Sequence, residues 1–297
     1  MLSQKIKSNE AGIILYGIVP PKENLEQSKI KHLAFLQKER IENAGIDGIV
    51  IYDLQDESAR TTQKRTFEFI KTIDPDVYYT KYLKTAMPAI IYRAVGKYDR
   101  ENFAEILENS TSNLGVFVGA SSRDQNIKLR LSDAYKIRKN VQKDMIIGGV
   151  CIPERQAGKH NEHLKVASKT VNGCEFFITQ AVYNVENAKD FIDNYALLNI
   201  KKVPIIFTFT PCGSLKTLEF MKWLGIGIPD FLEQRLKNSV DILQSSVDLS
   251  IEIFEFLFKY ARAKNISIGA NVESISTRKV EIEASLSLLN GIKKILS

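Results

Sequence analysis

Cysteine, histidine and tryptophan are scarce in this chain of 297 residues: three, three and one. Cys151, Cys174 and Cys212 show no CxxC spacing, so neither a disulfide framework nor a zinc site is indicated, and reduced, mostly buried thiols are expected. His32, His160 and His163 are too dispersed for a triad or a metal set. They read as solvated histidines, and no metal is expected. Nowhere do about 18 apolar residues follow one another, the length that a membrane helix requires. The opening, MLSQKIKSNE, lacks the apolar segment of a signal peptide, so a cytoplasmic protein without membrane contact is expected. GxGxxG and Walker loops are also missing, which leaves barrel loops, helix N-termini and single cations to hold any phosphate. The net charge is +6, but Lys and Arg are interleaved with Asp and Glu along the whole chain. That pattern argues against a nucleic-acid surface and suits a solvated exterior or a site for small anions.

What is present is a repeated apolar theme. With 44% apolar and 26% charged residues, the chain can bury a sizeable core. Eight runs rich in Ile, Val, Phe and Tyr occur at Ile13–Val19, Gly48–Tyr52, Ala89–Arg93, Leu114–Gly119, Ile146–Cys151, Phe176–Gln180, Val203–Phe209 and Ile266–Asn271. Their near-continuous apolar character is that of strands covered on both faces. Between them, Asn24–Asn43, Arg100–Asn109, Ser132–Asn140, Glu162–Val171, Val185–Tyr195 and Ser276–Leu289 have helical character. In the helix from Glu162, the spacing of Leu164, Ala167 and Val171 predicts the buried face. AGIDG at Ala44–Gly48 and NGCEF at Asn172–Phe176 each set a glycine helix stop directly before a strand. Strand–helix alternation repeated eight times predicts a single (β/α)8 TIM barrel over residues 1–297. The connection from Gly213 to Asn265 is too long for one barrel helix. Extra helices are expected there between strands seven and eight, one of them starting at Pro229.

In such a barrel the chemistry lies at the C-terminal strand ends. Read there, the chain offers Pro20, Pro21 and Lys22; Asp53, Asp56 and Glu57; Arg93; Ser121, Arg123 and Asp124; Pro153 and Glu154; Gln180; Thr208 and Thr210; and Asn271 with Glu273. Loops are polar in any protein, so each residue singly is more readily a solvated one; the set gains meaning from its shared position. Because parallel neighbours cross over right-handed, Pro153, Glu154 and Gln180 are expected to share one mouth. Arg93 and Arg123 sit where a phosphate or a folate glutamate tail could be held bidentately, or where an acid such as Asp124 or Glu154 could pair with them.

The order of motifs resembles the methylenetetrahydrofolate reductase family over nearly the whole chain. The resemblance is carried by YGIVPPK at Tyr16–Lys22, IVIYDLQDESART at Ile49–Thr61, LGVFVGASSRD after strand four, IPER, NGCEFFITQAVYN, and PIIFTFTPCGSLKTLEFMKWLGIGIP at Pro204–Pro229. It implies an oxidoreductase of one-carbon metabolism and methionine biosynthesis, acting on a folate-type substrate. FAD is the implied cofactor, NADH or NADPH the donor, and a homo-oligomer or a methyltransferase partner is left open. It further implies Glu154 beside the flavin, Lys169 as a phosphate contact and Gln180 as a partner of the pterin or flavin edge. The alternative for Gln180 is an amide that caps backbone groups. The chain departs from the family at strand one, where the proton-donating glutamate is replaced by Gly17. It also departs after strand four, where the pterin-binding aspartate falls at about Ser121. The histidine of strand three falls at Ala89, and the aromatic before Pro-Glu is Ile152. These departures raise an alternative to reduction: a barrel that keeps its pterin or flavin pocket and serves in binding, regulation or methyl transfer with a partner.

Reading a pterin edge calls for a carboxylate, and reducing an iminium calls for a proton donor with a pKa near neutrality. Asp53, Asp56, Glu57, Asp124 and Glu273 are the acids at the rim. Strands one, two and eight adjoin around the barrel closure, so a donor lost from Gly17 is expected from strand two or eight. Asp53, nearest the end of its run, is the first candidate, with ordering of its loop through an arginine as the plain alternative; Glu273 is the second. Gln180, Asp56, Glu57, Ser121 and Asp124 are assigned to substrate.

Overall fold

The computed structural model describes residues 1–56, 62, 65–119 and 127–297. Eight parallel strands close in sequence order into a barrel: β1 (Ile14–Ile18), β2 (Gly48–Ile51), β3 (Ala89–Ala94), β4 (Leu114–Val118), β5 (Ile146–Cys151), β6 (Cys174–Ala181), β7 (Ile205–Phe209) and β8 (Ile268–Glu273). The eight apolar runs all become strands, with ends shifted by a few residues. The shift with consequences is at β8, which continues through Asn271 to Glu273, so Glu273 belongs to the barrel wall and pairs in register with Gly17.

Two apolar layers explain the unbroken hydrophobicity of the strands. Leu15, Val50, Ile90, Val116, Ile146, Phe176, Ile178 and Ile206 fill the barrel interior, while the alternate residues pack outward against the helices. The helices follow in order: α1 (Leu2–Lys7), α2 (Gln27–Glu42), α3 (Pro75–Val77) running into a π-helical turn at Tyr78–Leu83, α4 (Arg100–Glu108), α5 (Leu131–Val141), α6 (Glu154–Lys159), α7 (Glu162–Val171), α8 (Val185–Leu197), α9 (Leu215–Trp223), α10 (Asp230–Lys237), α11 (Ile242–Ala263) and α12 (Lys279–Leu296). The long connection after β7 thus holds three helices, and α10 begins directly after Pro229. Gly45 and Gly173 take the left-handed conformation, with φ of 61° and 103°, as the two glycine stops require.

The short α1 was not foreseen. Its Leu2 and Ile6 join the interior cluster and plug the barrel floor, and Gly48 makes room, since a Cβ there would lie 2.6 Å from Leu2 Cδ2. The buried face of α7 also differs from the expected one. Leu164 and Val171 are 51% and 79% exposed, and the helix buries Glu162 and Val166 instead. The reason is that Glu162 serves as a polar clamp on the strand end: its carboxylate accepts from Ile152 N at 3.0 Å and from Lys165 Nζ at 2.8 Å. No helix of the described residues is long and apolar enough to cross a membrane.

Candidate functional site

The carboxyl of Glu273 stands at the C-terminal end of β8, partly covered, and burial pushes it up to about 7. The Tyr52 hydroxyl donates to it, which moderates the rise because a donor favours the charged form. Tyr52 in turn accepts from Asn271 Nδ2 at 2.8 Å, and that amide nitrogen also donates to Thr208 Oγ1 at 3.1 Å. One polar chain therefore links β7, β8 and β2. Asn271 is fully buried, and its Oδ1 has no hydrogen-bond partner among the described residues. Tyr92 from β3 closes the group, its ring edge-on to Tyr52 at 4.8 Å between centroids.

Gly17 is what makes this arrangement fit. A Cβ at that position would lie 2.8 Å from Tyr52 Cε2 and 3.1 Å from Glu273 Cβ. Position 17 carries no side chain, and Tyr52 and Glu273 from the neighbouring strands occupy the space a Cβ there would enter.

A second polar set lies at β5 and β6. Glu154 opens α6 immediately after the turn that Glu162 clamps, and Gln156 Oε1 fixes that helix to α7 by accepting from Glu162 N at 3.0 Å. Both carboxyl oxygens of Glu154 are covered and lack a partner among the described residues, and burial pushes the group up to about 8. Its Cγ would lie 2.8 Å from a Cβ on Gly227. At the end of β6, Gln180 Nε2 donates to the Leu224 carbonyl at 2.7 Å. Glu154 and Gln180 thus meet the same α9–α10 connection, in keeping with their expected common mouth.

The remaining candidates are placed differently. Asp53 accepts from Ala94 N at 2.7 Å, from Lys97 Nζ at 2.5 Å and from Tyr98 Oη at 3.4 Å, which ties the end of β2 to the segment after β3. Arg93 alternates with Tyr92 and so faces the helix layer, where it bonds Asp74 Oδ2 at 2.6 Å and Asp76 Oδ2 at 3.1 Å. Lys169, its pKa lowered by burial, donates to the Val150 carbonyl at 2.5 Å across the wall between α7 and β5. Asp56 is exposed on the β2–α3 loop. Glu57, Ser121, Arg123 and Asp124 lie outside the described residues. The group that the sequence reading missed is Tyr52. Strict alternation from Gly48 through Val50 would have pointed it inward.

A family model for methylenetetrahydrofolate reductase matches residues 135–259, the span that carries Glu154, Gln180 and the α9–α10 connection. An uncharacterized protein from Clostridium thermocellum that binds two copies of 5-methyl-5,6,7,8-tetrahydrofolic acid is 51% identical, covers 99% of this chain and 100% of its own, and superposes with a TM-score of 0.88. This chain belongs to the methylenetetrahydrofolate reductase family. The fold alone is shared with apo-MsnO8, at 10% identity and a TM-score of 0.56 over 96% of this chain and 99% of that one. No curated protein matches.

A methylenetetrahydrofolate reductase barrel implies FAD, and Arg93 and Lys169, the described cations assigned to its phosphates, do not fit that task here. Arg93 is engaged by two aspartates on the helix side, and Lys169 is turned into the wall. Glu154, expected beside the flavin, is covered at Gly227. Among the described residues named for it, none presents a free cation to a diphosphate at the mouth.

Proposed function

We propose that this member of the methylenetetrahydrofolate reductase family binds a reduced folate of the methyl- or methylene-tetrahydrofolate type in the barrel mouth, with Glu273 exchanging a proton at the one-carbon unit. The observation that carries this reading is the carboxyl of Glu273 beside bare Gly17, held by Tyr52 with a pKa of about 7. An acid of that strength is half protonated at neutral pH, which suits general acid–base work. Opening a methylene bridge to an iminium requires a proton on the departing nitrogen. Releasing a methyl group from N5 likewise leaves a nitrogen that must be protonated. Asn271 and Thr208 beside it supply the neutral donors and acceptors that a heterocycle edge needs.

Flavin-dependent reduction keeps an acid in this reading, but among the described residues the expected phosphate anchors Arg93 and Lys169 are engaged elsewhere. Folate binding with methyl-group handling, in company with a partner protein, is therefore favoured over it. Since the Clostridium thermocellum relative binds two copies of its folate, a stoichiometry of two is expected here.

Calorimetric titration of the purified chain with methyl-tetrahydrofolate tests this. Binding in the parent and weakened, pH-independent binding in Glu273→Gln are expected. A parent that binds no folate overturns the reading. Turnover of methylene-tetrahydrofolate with NADH or NADPH and added FAD, together with a flavin spectrum retained through purification, would restore reduction as the function.

A further inference from the structure

Tyr52 follows β2 directly, and its surroundings fix where its hydroxyl points. Its amide nitrogen donates to the Ile18 carbonyl at 3.1 Å, so the backbone is still held against β1. Tyr92 meets the ring edge-on at 4.8 Å between centroids, and Asn271 Nδ2 lies 2.8 Å from the phenolic oxygen. A Cβ on residue 17 would stand 2.8 Å from Tyr52 Cε2 and 3.1 Å from its oxygen. A side chain at position 17 would therefore push the ring out of this place.

The hydrogen bonds run one way. An amide nitrogen donates and does not accept, so the phenolic oxygen accepts from Asn271 and keeps its own proton for Glu273. With its oxygen turned to Tyr52 instead, Asn271 would take that proton itself and leave the carboxyl without a donor. In the orientation found, Asn271 Oδ1 is buried without a partner among the described residues. A buried polar atom left in that way calls for a reason, and here the reason is the direction it gives to Tyr52.

Among the described residues no charge competes for this role. The titratable groups that feel Glu273 are the phenols of Tyr16 on β1, Tyr52, and Tyr92 on β3, and burial holds all three above the ordinary phenol range. From β7, Thr208 joins the chain as an uncharged hydroxyl, and on α12 Arg278 and Glu281 are paired with each other. Two effects remain on the carboxyl: burial favours its neutral form, and the Tyr52 hydroxyl favours its charged form.

We infer that Tyr52 is the positioning residue of this site: its hydroxyl holds the Glu273 carboxyl beside Gly17 and fixes the pH range over which that carboxyl exchanges a proton with bound folate. This deepens the folate reading above and rests on it. Gly17 and Asn271 act through Tyr52, the first by leaving room for its ring and the second by directing its proton.

The test follows the carboxyl directly, by infrared difference titration of the full chain between about pH 5 and 9, with Glu273→Gln identifying its band. In Tyr52→Phe, which keeps the ring and its contact with Tyr92, the midpoint is expected to move up by about 1–2 pH units, the scale of one hydrogen bond to a charged group. 3-Fluorotyrosine at position 52, a stronger donor of nearly the same size, should move it down. The pH dependence of methyl-tetrahydrofolate binding should follow the midpoint in each. If Tyr52→Phe is unstable on melting, the sign of the shift in the fluorinated chain decides. A midpoint that stays in place in both, or moves the same way in both, overturns the inference while folate binding stands. A parent that binds no folate overturns the folate reading and the part of Tyr52 in it.

Discussion

Gly17 and Glu273 pair in register on β1 and β8, so the carboxyl proposed as the acid stands on the strand next to the bare strand-one position. A carboxyl moved to the adjacent strand reaches nearly the same point in space, provided that the abandoned position has no Cβ. Glu273 is therefore the stronger candidate for the acid, whereas Asp53 is already hydrogen-bonded to a backbone amide and a lysine. If Glu273 donates the proton, the rate of the one-carbon step falls as pH rises through about 7, because the protonated form is lost. Glu273→Gln should lower that rate by roughly a hundredfold or more and remove the pH limb, as measured in single-turnover or methyl-exchange assays. Asp53→Asn should instead leave folate affinity near the parent value and cost about 1–3 kcal/mol in urea unfolding, since it weakens charge-assisted bonds that order a loop. Arg93→Ala should cost about 3–5 kcal/mol in the same experiment, because two aspartates lose their buried partner.

At the scale of elements, the α9–α10 connection and α1 matter most. The connection meets Gln180 through Leu224 and Glu154 through Gly227, so it closes one side of the mouth without contributing an acid of its own. Gly227→Ala would drive a methyl group against Glu154 Cγ. It is expected to destabilise by about 1–3 kcal/mol and to alter folate affinity, read by thermal melting and titration of the same sample. On the barrel floor, Leu2→Ala removes a fully packed side chain from the interior cluster, and a loss of about 2–5 kcal/mol in chemical unfolding is expected. α1 and the buried face of α7 escape a reading by periodicity. A six-residue helix is too short for a periodic signal, and α7 shows the reverse problem: its apolar residues suggest one face, while a clamp by Glu162 selects another.

For the molecule as a whole, two carboxyls held protonated by burial give stability a distinct dependence on pH. Glu273 and Glu154 have folded values of about 7 and about 8 against an ordinary 4.5. The folded chain thus binds more protons than the unfolded one between these limits. Stability is greatest below about 4.5 with respect to these groups and falls as pH rises through 7 and 8. Urea unfolding at pH 5.5, 7 and 8.5 should show that decline, and Glu154→Gln should flatten its upper part. A folate that donates hydrogen bonds to either carboxylate would oppose the decline by binding the folded state alone.

The sequence by itself determined the barrel, because eight apolar runs between amphipathic stretches leave parallel strands covered on both faces as the consistent solution. It also determined the family, through motifs in a fixed order, and the rim from which the site residues come. Only the tertiary structure decided which rim residues are available. Arg93, one position along a strand from Tyr92, turns outward to Asp74 and Asp76, and Lys169 spends its charge on a wall carbonyl. Glu273 becomes an acid near neutrality through Tyr52, Asn271 and Gly17, residues far apart in the chain that meet where the barrel closes. A pKa is set by what surrounds a group in space, and spacing along a chain does not record it.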